Sequence, residues 1–211
     1  TIVGNITNAL MGRAVGCGDL NNDTFDDIIV GAPGSNFTGI IFGDAVLGTR
    51  WLRQNQTNVS INSSGVDDMS ITVGDFSGDT VLDLAIGQPD TGDFAGRVSI
   101  IHGRSAWPRR LNITTDSNTT LTNGAMDFYG YSVAAGDLTN NSFDDIVVGA
   151  PGNNVSGVFR AGTTYIYFGP IPTGTIATTS ANASWNGTLT VGTQGNTQSM
   201  SGFSLHARGD V

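Results

Sequence analysis

Short apolar runs of strand length recur along this chain, each bounded by Gly, Asn, Asp, Ser or Thr. The clearest three are IIVGAP at 28–33, LAIGQP at 84–89 and IVVGAP at 146–151. Runs this short, rich in Ile and Val and closed by turn residues, predict strands rather than helices. Each stops at Gly-X-Pro, where Gly permits a turn and Pro has no N–H with which to continue a ladder. The same polar stretch precedes each run, beginning at Asp19, Asp75 and Asp137, 56 and then 62 residues apart. Repetition at that period predicts a stacked or radial array of supersecondary units rather than one irregular domain.

Within each unit the pattern predicts a first strand near 14–18, 70–74 and 131–136, and a second near 28–31, 84–87 and 146–149. A third is expected near 39–43, 97–102 and 163–168, and a fourth at 58–62, 111–115 and 187–191, where alternation is only partial. Composition supports strands throughout. The chain has neither Glu nor Lys, two strong helix formers of protein surfaces, and is rich in Thr, Ser, Val, Ile and Gly. An all-β fold follows.

The polar stretch before each second strand carries chemistry of its own. Oxygen-bearing side chains stand at its positions 1, 3 and 5 and a carboxylate at position 9: Asp19, Asn21, Asp23 and Asp27; Asp75, Ser77, Asp79 and Asp83; Asp137, Thr139, Asn141 and Asp145. A hard cation such as Ca²⁺ needs six to eight oxygens at once, and a tight loop with alternate side chains turned inward can supply them. Position 7 holds Phe25, Val81 or Phe143, whose carbonyl is available to the ion while the side chain is expected to enter the core. An EF-hand would instead close with a bidentate Glu between helices.

These pieces resemble the FG-GAP repeats of the integrin alpha-chain β-propeller. The resemblance rests on Tyr129-Gly130 running through Gly136-Asp137, on the three acidic loops, on Gly31-Ala32-Pro33, Gly87-Gln88-Pro89 and Gly149-Ala150-Pro151, and on third strands closing as Ile41-Phe42-Gly43, Ile101-His102-Gly103 and Tyr167-Phe168-Gly169. It covers about residues 11 to 169 and resumes over 202–211. It implies a β-propeller-type array of about three four-stranded blades plus a partial fourth, with calcium in the hairpin between first and second strands. The units would be 11–68, 69–128 and 129–200, with 201–211 opening another, all within a single domain. Two departures bear on calcium. Loop position 6, usually Gly in that family, is Thr24, Thr80 or Ser142, and the third loop has only two carboxylates, so it is expected to bind most weakly.

Asn-X-Ser/Thr occurs twelve times, at Asn5, Asn22, Asn36, Asn55, Asn58, Asn62, Asn112, Asn118, Asn140, Asn154, Asn182 and Asn186. Random placement of the same residues would give about four, so N-glycans and a eukaryotic extracellular or cell-surface location are expected. The lone Cys17 aligns with Val73 and Ala135 and is read as a buried small apolar residue. A net charge of −9 leaves no basic stripe for nucleic acid, and Arg109-Arg110 is read as a solvated pair. No apolar run approaches the ~20 residues of a membrane span.

No nucleophile elbow, zinc-protease motif or phosphate loop is present, so no catalytic residues are assigned. The two histidines include His102, which stands where Phe42 and Phe168 stand in the other units and is read as a packed strand residue. Arg208-Gly209-Asp210 spells an integrin-binding tripeptide, but its Gly-Asp falls where every unit has Gly-Asp. The function expected is a calcium-binding, glycosylated structural or adhesive module. It would associate with itself through exposed strand edges, the 202–211 segment completing a sheet near residues 1 to 20 of the next copy, or with other extracellular proteins. The alternative is a ligand-binding head fragment of an integrin-like receptor, its ligand on the face opposite the calcium loops.

Overall fold

The computed structural model describes residues 2–3, 6–45, 52–53, 56–63, 70–90, 94–124 and 126–187. The 202–211 segment, the Arg-Gly-Asp tripeptide, Asn5 and Asn55 therefore lie outside the described residues.

Three units repeat one hairpin-connected order. In the first, β2 (Ala14–Gly18) pairs antiparallel with β3 (Asp27–Ala32), β3 with β4 (Phe37–Ile41), and β4 with β6 (Val59–Asn62). In the second, β7 (Ser70–Gly74), β8 (Asp83–Gln88), β9 (Arg97–Ile101) and β11 (Thr119–Thr122) pair in the same way. In the third, the series is β12 (Ser132–Gly136), β13 (Asp145–Ala150), β14 (Thr163–Tyr167) and β16 (Ala183–Asn186). The expected all-β, propeller-type arrangement is what forms: β7 lies between β2 and β12, so first strands are neighbours and the sheets stack face to face.

Stacking explains the unbroken apolar runs of the second strands. All six residues of β8 are buried, because its two faces serve two different cores. Leu84 and Ile86 pack with Ile29, Ile40 and Ile61 of the first blade, while Ala85 packs with Val133, Ile146 and Val148 of the third. A strand residue's parity therefore decides which neighbouring blade it holds, and each fully buried Leu or Ile contributes roughly 1.5–3 kcal/mol.

Each unit also lends a strand to its predecessor. β10 (Arg110–Asn112), between the third and fourth strands of the second unit, adds parallel to β6 with Leu111 opposite Ile61. β15 (Gly174–Ala177) adds in the same way to β11, and β5 (Leu52–Arg53) to β1 (Ile2–Val3). The blades are thus tied by backbone hydrogen bonds as well as side chains.

Two expectations for fourth strands are corrected. The second blade's fourth strand is β11, not 111–115; there, Leu111 belongs to the crossing strand β10 and Ile113–Asp116 form one helical turn. Local polar bonds explain this: Asn112 Oδ1 accepts from the Thr114 N–H at 2.9 Å, and Asp116 Oδ2 accepts from the Asn112 N–H at 2.7 Å. An N-cap of this kind overrides the β-branched composition. The third blade's fourth strand is β16, not 187–191; Gly187 is outside a strand, and 188–191 lie outside the described residues.

Candidate functional site

The three acidic loops fold alike. Position 1 turns both oxygens back onto the loop: Asp19 accepts from the N–H groups of Asp23 and Thr24, Asp75 from Gly78, Asp79 and Thr80, and Asp137 from Asn141 and Ser142. For Asp137 these loop amides outweigh its slight desolvation and hold the carboxyl below its ordinary value. Position 5 accepts from the position 7 amide at 2.9 Å in every copy, through Asp23, Asp79 or Asn141.

Position 9 is the structural centre. Asp27, Asp83 and Asp145 are fully buried. One oxygen of each accepts an N–H from its own loop, from Leu20, Ser77 and Leu138 respectively. The other accepts from the glycine that closes the third strand, Gly43, Gly103 or Gly169, at 2.8–2.9 Å. That residue must be glycine, since a Cβ there would lie 2.2–2.6 Å from the carbonyl oxygen of Asp26, Leu82 or Asp144. Burial pushes the Asp27 and Asp83 carboxyls up from their ordinary value, only partly offset by these amides.

The loops turn through two left-handed residues, at positions 4 and 6: Asn22 and Thr24, Gly78 and Thr80, Asn140 and Ser142, all with φ between 55° and 79°. The expectation that position 6 must turn without glycine is thus met at a cost, because a β-branched residue is poorly suited to positive φ. Thr80→Gly should raise stability by about 1 kcal/mol, read as a higher urea midpoint at unchanged m value.

The donor set suits a hard cation: carboxylate, amide and hydroxyl oxygens on one short loop. In the second loop Ser77 Oγ is buried with no directed hydrogen bond; it lies close enough to Asp83 to contribute a small lowering of that carboxyl's pKa. An orphaned buried oxygen beside a desolvated carboxylate fits a site for a positive ion. Among the described residues, no three Asp, Glu, His or Cys side chains gather about one point; the loop carboxylates are held by backbone amides. In the third loop Thr139 is exposed, whereas Asn21 is buried, its amide bonded to Asp23 at 3.0 Å.

Two other readings are corrected. Phe25 is 45% exposed rather than in the core, and Val81 and Phe143 are half-buried, pressed against Gly103 and Gly169. Cys17 is exposed, as is Val15 on the same face of β2. Val73 and Ile71, their counterparts in the second unit, pack onto Gly18 and Gly16 of the blade before them. Among the described residues no blade lies on that side of β2. His102 is half-buried at the end of β9, its N–H held by Asn118 Oδ1 at 2.9 Å.

Asn118 has counterparts in Asn58 and Asn182, whose Oδ1 atoms accept the Phe42 and Phe168 amides at the same place in the other blades. Strand capping accounts for these three Asn residues independently of glycosylation. Asn22, Asn62, Asn140, Asn154 and Asn186 are exposed, and Asn36 and Asn112 are half-buried. Arg109 and Arg110 are exposed and line an open groove of about 700 Å³ over the paired β6 and β10, with Ile6 and Phe37 also in its wall.

Sequence reasoning missed a feature at the opposite end of the blades. There the turn between β8 and β9, the connection into β12 and the turn between β13 and β14 bring aromatic rings together. Phe94 and Phe128 are 5.4 Å apart, and the Arg160 guanidinium lies over Phe128 at 5.7 Å and over Phe159 at 5.3 Å. Phe94, Met126 and Phe159 are mostly exposed. The residues are scattered singly in the sequence, and nothing there signals their convergence.

The FG-GAP repeat model matches residues 11–52, 69–101 and 129–167, more than half of the chain. Integrin alpha-6 of Gallus gallus is 35% identical over 158 residues, and integrin alpha-7 of Mus musculus 30% over 159, covering 68% and 71% of this chain. Phosphatidylinositol-glycan-specific phospholipase D of Bos taurus is 29% identical over 182 residues, 74% of the chain. The chain spans only 13% of either integrin and 21% of the phospholipase. With that match and those relatives, this chain belongs to the FG-GAP repeat family as an integrin-like member.

Proposed function

We propose that this chain is an extracellular, cell-surface or secreted segment of an integrin-like adhesion protein. Calcium stiffens its three hairpin loops, and the opposite, aromatic face docks a protein partner. The observation that carries the reading is the contiguous cluster of Phe94, Phe128, Phe159 and Arg160: an exposed apolar patch with an arginine stacked on its rings is characteristic of interaction surfaces. An apolar segment carrying a carboxylate is the partner such a surface fits.

Calcium would be held by the oxygens of positions 1, 3, 5 and 9 and the position 7 carbonyl. These are Asp19, Asn21, Asp23, Phe25 and Asp27; Asp75, Ser77, Asp79, Val81 and Asp83; and Asp137, Thr139, Asn141, Phe143 and Asp145. Each carboxylate oxygen has a second lone pair, so it can bind an ion while keeping its amide. N-glycans on exposed sequons such as Asn22, Asn140 and Asn186 would lie away from the aromatic face; Asn154, whose Oδ1 accepts the Arg160 N–H at 2.8 Å on the aromatic turn itself, would have to stay unmodified for that face to dock a partner. The reading is non-catalytic, and among the described residues no helix is long and apolar enough to cross a membrane.

The test is capture from an extracellular-matrix extract in calcium, comparing wild type with Phe94→Ala/Phe159→Ala and Arg160→Ala. Both variants alter exposed side chains and should fold normally but lose the bound protein; equal capture by all three would remove the reading. The second reading, end-to-end self-association, is favoured by β16, whose residues are all exposed, Trp185 to 76%, and whose outer edge is unpaired among the described residues. Sedimentation of the free chain in the same buffer reads it directly.

A further inference from the structure

The turn that carries the aromatic face also holds a buried carboxylate that no described residue neutralises. Asp127 is 1% exposed. Its Oδ2 accepts from the Asn123 amide, while Oδ1, buried too, has no well-directed hydrogen bond; the N–H groups of Tyr129 and Asp127 lie near enough to the carboxyl to offset only part of its desolvation. The backbone on either side is pinned to two other turns. Gly152 N–H donates to the Asp127 carbonyl at 2.9 Å, and the next two amides, Phe128 and Tyr129, donate to the Phe94 and Ala95 carbonyls at 2.9 and 3.2 Å. Phe128 itself is held at a φ of 58°.

Among the described residues no cation opposes this carboxylate. The titratable groups that face it from the packed elements are the phenols of Tyr129 and, on β14, Tyr165, with Tyr167 behind them bonded to the Tyr129 hydroxyl at 2.9 Å. Burial raises all three phenols above their ordinary value, so they stay neutral. Arg160, the cation of the aromatic face, lies over the rings of Phe128 and Phe159 rather than on the carboxylate.

The fold does not require an acid here. In the first unit the matching residue is Ala9, buried likewise, with the Gly34 N–H donating to its carbonyl at 3.1 Å and Leu10 after it at a φ of 54°. The backbone turn is the same, so the carboxyl is an addition to a frame that closes without it. An ionised carboxylate with an orphaned oxygen in such a place is a large local penalty, and a protonated one is not.

We propose that Asp127 is a proton-operated latch on the aromatic face: with the acid neutral, the 126–129 turn stays closed on Phe94 and on Gly152, and with the acid ionised the turn loosens and takes Phe128 out of register with Phe94 and Arg160. The regulatory meaning rests on the reading of that face as the docking surface, but the latch is a property of the free protein. Burial pushes the Asp127 carboxyl up to about 7. The folded state therefore keeps a proton that the unfolded chain has lost, from about pH 4 to 7. The stability this proton contributes is complete below the unfolded value, is lost as pH rises through about 7, and does not return above it.

Site-resolved hydrogen exchange on the intact chain tests this, comparing wild type with Asp127→Asn and Asp127→Ala at pH 5 and pH 8. After correction for intrinsic exchange, wild-type protection of the Phe128 and Tyr129 amides should fall at least tenfold between the two pH values. Both variants should stay protected at both. If Asp127→Asn is poorly folded, Asp127→Ala decides, because alanine already occupies the matching place. Wild-type protection that does not change with pH, or a pH dependence that persists in the alanine variant, would overturn the latch. Loss of partner capture by the Phe94/Phe159 variants is a separate outcome, so failure of the latch and failure of the docking surface can be told apart.

Discussion

Asp83→Ala should lower stability by about 4 kcal/mol, because it strands two amides, those of Ser77 and Gly103, that the buried carboxylate satisfies at 2.8 and 2.9 Å. For a chain of this size that is a fall in Tm of roughly 8–16 °C. The loss should persist in a chelator, because the carboxylate ties the loop to the end of the third strand whether or not an ion is present. Asp79→Ala separates the two roles. Asp79 is exposed, and the one hydrogen bond its carboxylate accepts among the described residues, from the Val81 amide, is at the surface. In chelator the variant should lie within about 0.5 kcal/mol of wild type. In calcium at a hundredfold its Kd, it should forgo the roughly 2.7 kcal/mol that one bound ion contributes, and calorimetric stoichiometry should drop by one. Equal calcium stabilisation of wild type and Asp79→Ala would show that the second loop is no calcium site.

The parts of the blade legible in the sequence are those set by local chemistry or by two-sided burial. The second strands were readable because neighbouring blades cover both faces and demand an unbroken apolar run. The hairpins were readable because left-handed turns and amide-capping Asp residues leave a fixed signature. The crossing strands β5, β10 and β15 were not, since each is two to four residues long and its partner lies in another unit. Nothing in composition separates Leu-Asn-Ile-Thr-Thr at 111–115 from Thr-Thr-Leu-Thr at 119–122; the Asn112 cap decides it. The exposure of Cys17 and Phe25 depends on what stacks beside the first blade, which a register match with Val73 or Val81 cannot supply. Asp127 was invisible for a related reason. It stands among ordinary polar residues, and only its backbone equivalence with Ala9 shows that the fold has no structural need for it.

The same substitution at matched positions of two repeats should have opposite outcomes, and this tests the stacking of the blades rather than the design of any one of them. Gly31 and Gly87 both precede the last residue of a second strand, β3 and β8. A Cβ on Gly31 would meet Ala14 Cβ at 3.4 Å and Ile71 Cδ1 at 3.5 Å, an ordinary van der Waals fit. A Cβ on Gly87 would lie 2.1 Å from the Gly130 carbonyl oxygen and 2.2 Å from Ser70 Oγ. Ser70 can turn away only by giving up its 2.9 Å bond to that same carbonyl. The carbonyl cannot turn away, because Gly130 enters the third blade, held by its own N–H to the Gly149 carbonyl at 3.0 Å. Gly31→Ala should therefore be neutral or stabilising by up to about 1 kcal/mol, through the smaller conformational entropy of the unfolded chain. Gly87→Ala should cost about 3 kcal/mol as the second and third blades are wedged apart. The two melting temperatures should differ by roughly 6–16 °C. Similar melting temperatures for the two variants would mean that the third blade does not close on the second as described, whereas a large gap would show that the contact between blades, and not the blade alone, fixes where glycine is obligatory.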